Sequence, residues 1–317
     1  MSVPLIETRD LKKYFDVAGG KLHAVDGVSL SIERGKTLGV VGESGCGKST
    51  FGRVVLRLLD ATSGQVLYNG EDILKYSNDQ MMKMRQKMQI IFQDPYASLN
   101  PRMTVSEIIA EPIRVRRTVT GNSAIMEKVD ELMQIVGLAD RFVNTYPHEL
   151  DGGRRQRIGI ARALALDPEF IVCDEPVSAL DVSIQAQVLN LLMDLQEERG
   201  LTYLFVTHNL SVVKHISDEI AVMYLGQCVE RCPSDELFED PLHPYTRALL
   251  SAIPEPTLEA RNKRQEIIRG EVTSPIDPKP GCRFAARCPH AKPECMTDSL
   301  RSQEVSPGHF VSCLLYQ

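Results

Sequence analysis

The stretch Thr37-Leu38-Gly39-Val40-Val41-Gly42-Glu43-Ser44-Gly45-Cys46-Gly47-Lys48-Ser49 decides the fold. Its first five residues form a continuous apolar run that stops at Gly42, as a buried parallel strand does. Residues 42–49 then fit the spacing G-x-x-x-x-G-K-[ST], and a helical run follows. Glycines at 42, 45 and 47 let backbone N–H groups turn inward around phosphates, and a helix start adds partial positive charge. In this reading Gly42, Glu43, Ser44, Gly45, Cys46, Gly47, Lys48, Ser49 and Thr50 form the phosphate cradle. Lys48 reaches the β- and γ-phosphates, and Ser49 ligates Mg²⁺.

Working outward, further β-rich runs alternate with helical patterns. Val25–Ile32 alternates apolar and polar residues and reads as one half-buried strand. Met88–Phe92, Glu169–Cys173 and Thr202–Thr207 read as buried strands. Ile125, Met126, Val129, Leu132, Met133 and Val136 share one helical face, with Gly137 as the stop. Val182–Arg199 is a second helix, closed by Gly200. Strands interleaved with helices indicate an α/β domain around a parallel sheet. Ile171–Cys173 runs into Asp174-Glu175, which puts two carboxylates at the end of a buried strand. Asp174 suits a Mg²⁺ ligand, and Glu175 suits the base that polarises an attacking water.

The whole chain has 317 residues with 36 basic and 42 acidic side chains, a net charge of −6. That balance disfavours a general nucleic-acid binder. Every apolar run breaks well short of the roughly 20 residues that span a bilayer, and MSVPLIETRD has no secretory pattern, so a cytosolic protein is expected. Four of the eight cysteines, Cys282, Cys288, Cys295 and Cys313, crowd into the tail. In a reducing compartment such a cluster is a better metal site than a disulfide framework.

Leu150-Asp151-Gly152-Gly153-Arg154-Arg155-Gln156-Arg157 lies just upstream of Asp174-Glu175 and resembles the signature segment of ATP-binding-cassette (ABC) ATPases, usually LSGGQ. Gln93 in IIFQDP resembles the Q-loop, Ser178-Ala179-Leu180-Asp181 the D-loop, and His208 in VTHNL the switch histidine. The resemblance covers about residues 5–255 and implies a P-loop NTPase fold. It places a cassette domain at 1–255, a helical subdomain at about 94–160, and a small loop-rich region at 256–317. It implies that two cassettes close head to tail, each ATP held between one chain's Gly42–Ser49 loop and the other's signature. The carried-over roles are adenine stacking by Phe15 (or Tyr14), Mg²⁺ ligation by Ser49, Gln93 and Asp174, and catalysis by Glu175, His208 and Gln93. Asp151, Gly152, Gly153 and Asp181 would serve the partner's nucleotide. Residues Asp94–Pro101 and Met103–Pro112 would line the groove for a permease helix.

Asp151 stands where the family has Ser, and Arg154 where it has Gln. As an N-cap, Asp equals Ser. Near a γ-phosphate it does not: a carboxylate ~4 Å away would cost roughly 4 kcal/mol at an effective dielectric near 20. An asymmetric pair is therefore expected, with a competent site on this chain's loop and a weak one on its signature, Arg154 offsetting part of the charge.

The tail narrows the resemblance. Leu242-His243-Pro244-Tyr245-Thr246-Arg247-Ala248-Leu249-Leu250 and the later cysteines resemble the second of the two paired ATPases of oligopeptide, dipeptide and nickel importers. The partners implied are a paralogous ATPase, two transmembrane permease subunits and, indirectly, an extracytoplasmic solute-binding protein. The place implied is the cytoplasmic face of the membrane. The spacing C-x5-C-x6-C-x17-C fits short zinc knuckles poorly. Four thiolates on irregular backbone suit a [4Fe–4S] cluster, with zinc or free thiols as alternatives. Import of nickel or sugars, or a non-transport ABC ATPase acting on nucleic acid, remain other readings of function. The span from Gln93 to Gly152 is too short for the long insertions of the last class.

Overall fold

The computed structural model describes residues 3–253, 270, 273–297 and 300–317. The chain divides into two compact units, one of residues 1–33, 37–74 and 205–317, the other of residues 34–36 and 75–204. The expected domain boundary at 255/256 lies outside the described residues.

The first unit opens with β1 (Ile6–Val17), β2 (Gly20–Val28), β3 (Ser31–Ile32), β4 (Thr37–Val41), α1 (Lys48–Val55), β5 (Ser63–Tyr68) and β6 (Glu71–Asp72). An antiparallel sheet runs β2-β1-β5-β6, with β3 also on β1. The alternating run Val25–Ile32 is thus two strands and not one. The break has a local cause: the Leu30 N–H donates to the Thr8 hydroxyl at 3.0 Å, where a continuous ladder would offer a backbone carbonyl.

The second unit holds α2 (Asn78–Lys87), β7 (Met88–Ile91), α3 (Val105–Arg116), α4 (Asn122–Ile135), α5 (Gly152–Leu164), β8 (Phe170–Asp174) and α6 (Val182–Arg199). The strand β9 (Thr202–Val206) runs across the division of the chain. β7 and β8 are parallel, Met88 opposite Phe170 through Ile91 opposite Cys173. Every residue of β8 is buried, which is what a continuous apolar strand between two layers requires. α3 starts on a Thr104–Glu107 capping box and buries Val105, Ile108, Ile109 and Ile113. α4 buries Ile125, Val129, Leu132 and Met133, four members of the periodic face. Gly200 closes α6 in the left-handed region, as the sequence predicts.

Back in the first unit follow α7 (Leu210–Ile216), β10 (Glu219–Tyr224), β11 (Gln227–Pro233), α8 (Ser234–Glu239), α9 (Pro244–Ser251), β12 (Gln303–Ser306) and β13 (His309–Val311). These strands run in the order β12-β13-β11-β10-β4. β4 is buried at all five positions and pairs parallel with β10. The tail is integrated into this unit: β13 pairs with β11, and Phe284 is buried with Tyr224 and Tyr245 in one core cluster.

The join is held by charge as well as by apolar packing. Glu230 on β11 has a fully buried side chain and accepts the Leu242 N–H at 2.7 Å, the His243 N–H at 2.9 Å and His309 Nε2 at 2.8 Å. His309 Nδ1 faces Glu236 at 3.0 Å. Burial works against a charged His309 ring, but the bonds to Glu230 and Glu236 outweigh it and raise its pKa.

Candidate nucleotide site

The phosphate loop sits between β4 and α1. Gly47 closes the loop at φ 104°, and a Cβ there would stand 1.9 Å from the Ala24 carbonyl oxygen, so only glycine fits. No side chain caps α1, whose first-turn N–H groups have no partner within the helix. That open end is the feature an anion needs. Lys48 is 4% exposed and its ammonium donates to the carbonyls of Gly42 at 2.8 Å and Glu43 at 3.0 Å. The loop therefore carries its own cation, folded against backbone.

Two contacts on Glu43 were not legible in the sequence. Its N–H donates to the Tyr245 hydroxyl at 2.9 Å, and its carboxylate accepts Arg287 Nη1 at 3.0 and 3.2 Å. Tyr245 lies in the His-Pro-Tyr-Thr-Arg run and Arg287 between two of the tail cysteines. Nothing in their spacing points at Glu43; only a positive charge flanking the cysteine cluster could have drawn attention to Arg287.

Of the two aromatic candidates on β1, Tyr14 is already engaged: it stacks on His23 at 3.8 Å, and its hydroxyl bonds Asp26. Phe15 instead carries the Lys13 ammonium 4.9 Å from its ring centre. His208 is exposed just before the Asn209 cap of α7.

In the second unit, β8 delivers Asp174, 1% exposed, and then turns at Glu175 with φ 47°, a left-handed conformation unusual for a non-glycine residue. Gln93 Nε2 donates to Glu175 Oε2 at 3.0 Å. The sequence assigns each residue a role of its own, and the structure brings the two together. An amide donating to one carboxylate oxygen fixes the orientation of the whole group.

The signature segment is self-contained. Asp151 caps α5, accepting the Arg154 N–H at 2.8 Å through Oδ1, while Oδ2 pairs with the Arg154 guanidinium. The two departures from LSGGQ are thus one ion pair. A Cβ at Gly153 would come 2.6 Å from Ile184 on α6, which explains the second glycine. Asp181 is the N-cap residue of α6 without a side-chain capping bond.

The four tail cysteines line one cavity, together with His243, Phe284 and His290. Burial pushes the Cys282 thiol up to about 11 and raises those of Cys288 and Cys313. Among the described residues no group of three or more His, Cys, Asp or Glu side chains is placed to hold a single metal ion. Neither zinc nor a cluster thus finds a ready-made site there, although the four thiols line the same cavity.

Residues 25–178 match the family model described as ABC transporter, and residues 229–295 match the one described as oligopeptide/dipeptide transporter, C-terminal region. The chain is 53% identical over 321 residues to the oligopeptide transport ATP-binding protein AppF of Bacillus subtilis, covering 98% of this chain and 97% of AppF. It is 54% identical over 321 residues to the oligopeptide transport ATP-binding protein OppF of Salmonella typhimurium, covering 98% of this chain and 96% of OppF. This chain belongs to that ABC family. Among solved structures it resembles the dimeric post-hydrolysis form of the ATP-binding cassette MJ0796 bound to ADP and Pi. That match has a TM-score of 0.67 and 28% identity, over 72% of this chain and 98% of the other. It resembles cbiO1 of Clostridium perfringens equally, with a TM-score of 0.67 and 26% identity, over 75% of this chain and 92% of the other. The chain is an ABC-type ATPase with the cassette fold. Among the described residues no helix is long and apolar enough to cross a membrane.

Proposed function

We propose that this ABC ATPase powers the import of short peptides. It acts peripherally on the cytoplasmic face of a membrane beneath two permease subunits, which receive solute from an extracytoplasmic binding protein. The carrying observation is the union in one chain of the cassette match at 25–178 and the peptide-transporter match at 229–295. Lys48 and the loop's N–H groups bind the β/γ-phosphates, Phe15 stacks on the adenine and His208 contacts the γ-phosphate. Ser49, Gln93 and Asp174 would hold Mg²⁺, which would supply neutralisation of phosphate charge. Glu175, oriented by Gln93, takes the proton of the attacking water. Tyr96, 58% exposed in the segment after Gln93, offers an anchor for a permease helix.

The working unit is a heterodimer with a paralogous ATPase. This chain's loop and Glu175 face the partner's signature, while Asp151, Gly152, Gly153 and Asp181 face the partner's nucleotide. The Asp151–Arg154 pair makes that second site the weaker one. In proteoliposomes carrying the permease, both ATPases and the binding protein, short peptides stimulate ATP hydrolysis and are taken up, and Glu175→Gln in this chain stops both. Stimulation by nickel complexes or sugars, with none by peptides, would refute the solute.

A second reading concerns the cysteines. We infer that Cys282, Cys288, Cys295 and Cys313 hold an iron–sulfur cluster. What supports it is that all four tail thiols line one cavity. The cluster would brace a tail otherwise short of regular structure. About four iron with matching sulfide per anaerobically purified chain is expected; one zinc, or no metal, contradicts it.

A further inference from the structure

We infer that Arg287 serves the phosphate loop by holding and neutralising Glu43, and that the tail segment Cys282–Cys288 braces the nucleotide site. The inference rests on reading Gly42–Ser49 as the ATP site. Glu43, the first residue after the opening glycine of that loop, is held at two points. Tyr245 accepts its N–H at 2.9 Å, and Arg287 Nη1 straddles its carboxylate at 3.0 and 3.2 Å. The guanidinium side chain is 9% exposed and the carboxylate 27%, so the pair is largely shielded from water and salt.

The brace has a rigid base. Arg287 Nη1 also donates to the Tyr224 hydroxyl at 3.3 Å. The Tyr224 ring meets Tyr245 edge-on at 4.7 Å and Phe284 at 5.3 Å. Phe284 belongs to the tail segment itself and is 1% exposed, which anchors the segment in the core. Its neighbour Arg283 reaches the far side of the loop, bonding the Leu225 carbonyl and the Asp26 carboxylate. The next residue in that turn, Gly226, donates its N–H to the Cys46 carbonyl at 2.8 Å. Positions 43 and 46 of the phosphate loop are thus both tied, directly or through one turn, to residues between Cys282 and Cys288.

Two physical consequences follow. Fixing Glu43 fixes the backbone from which the cradle's N–H groups point, so binding need not order the loop. Arg287 also cancels the one carboxylate inside the cradle, which would otherwise oppose the phosphates. The second effect separates this role from mere folding. If Arg287 only held the tail in place, removing the Glu43 charge could not repair its loss.

The test titrates a fluorescent ATP analogue into the full-length chain and its variants, with thermal unfolding followed in parallel. Arg287→Ala loses about tenfold in affinity, Arg287→Lys loses less, and Glu43→Gln in the Arg287→Ala background recovers most of the loss. Unchanged affinity in Arg287→Ala overturns the inference while leaving the ATP site standing. So does a loss that Glu43→Gln fails to relieve. A wild-type chain that binds no ATP overturns both.

Discussion

Two helices of this ATPase begin beside glycines, and they treat their N-termini in opposite ways. α1 starts at Lys48 with no side-chain cap and a buried lysine folded back on the loop. α5 starts behind Asp151, whose carboxylate takes the Arg154 N–H and is itself paired with the Arg154 guanidinium. One helix end is left open for an external anion; the other already holds its own. A helix N-terminus that carries a carboxylate has spent most of its attraction for a phosphate. The contrast is the physical basis for the asymmetric dimer proposed above, and it can be stressed from several directions.

A buried carboxylate elsewhere in the first unit calibrates the comparison. Glu230 is fully buried against His309, whereas the side chains of Asp151 and Arg154 are 55% and 44% exposed. His309→Ala leaves the Glu230 carboxylate with only its two backbone N–H donors and is expected to cost about 3 kcal/mol, the upper end of what substitutions at the two helix ends cost. The pair also sets a pH dependence. The folded-state pKa of His309 is raised, so its stabilisation is fully present below the ordinary value of about 6.5. It is lost as pH rises through the higher folded value. Hydrogen exchange at β13 should therefore be slower, relative to intrinsic rates, at pH 6 than at pH 9; the reverse order would refute the pairing.

Closing the open helix end comes next in size. Gly47→Ala forces a side chain into a left-handed residue and against the Ala24 carbonyl, a strain of roughly 1–3 kcal/mol. Nucleotide affinity should fall by about 10- to 100-fold. Isothermal titration with ATP reads this directly, and wild-type affinity would mean that the loop does not cradle phosphate.

Removing the self-supplied anion is milder. Asp151→Ala deletes the cap of α5 and should lower stability by about 1 kcal/mol, whereas Asp151→Ser keeps the cap and stays near wild type. Arg154→Gln alone removes only an exposed pair, worth about 0–1 kcal/mol. Denaturant midpoints rank the three, and Asp151→Ala matching Asp151→Ser would remove the cap from the account.

What could be read beforehand follows the range of the interactions. The loop at 42–49, the strand end at Asp174-Glu175 and the helix stop at Gly200 are set by neighbouring residues, so local pattern was enough. The Asp151–Arg154 pair is only three residues apart, and its compensating charges could be anticipated. The hold on Glu43 could not, because Tyr245 and Arg287 stand 202 and 244 positions away. The alternation at Val25–Ile32 misled because a Thr8 hydroxyl replaces one ladder partner. The tail's loop-rich composition concealed that β13 joins β11 and that Phe284 is core, since three residues of strand leave almost no periodicity.

The contrast between the two helix ends is tested most directly by the ATPase rate of the assembled transporter carrying Asp151→Ser with Arg154→Gln in this chain. If Asp151 and Arg154 keep the second site weak, the double variant brings that site into use and turnover per complex rises about twofold. An unchanged rate would contradict the account, because the two helix ends would then be functionally equivalent despite their chemistry.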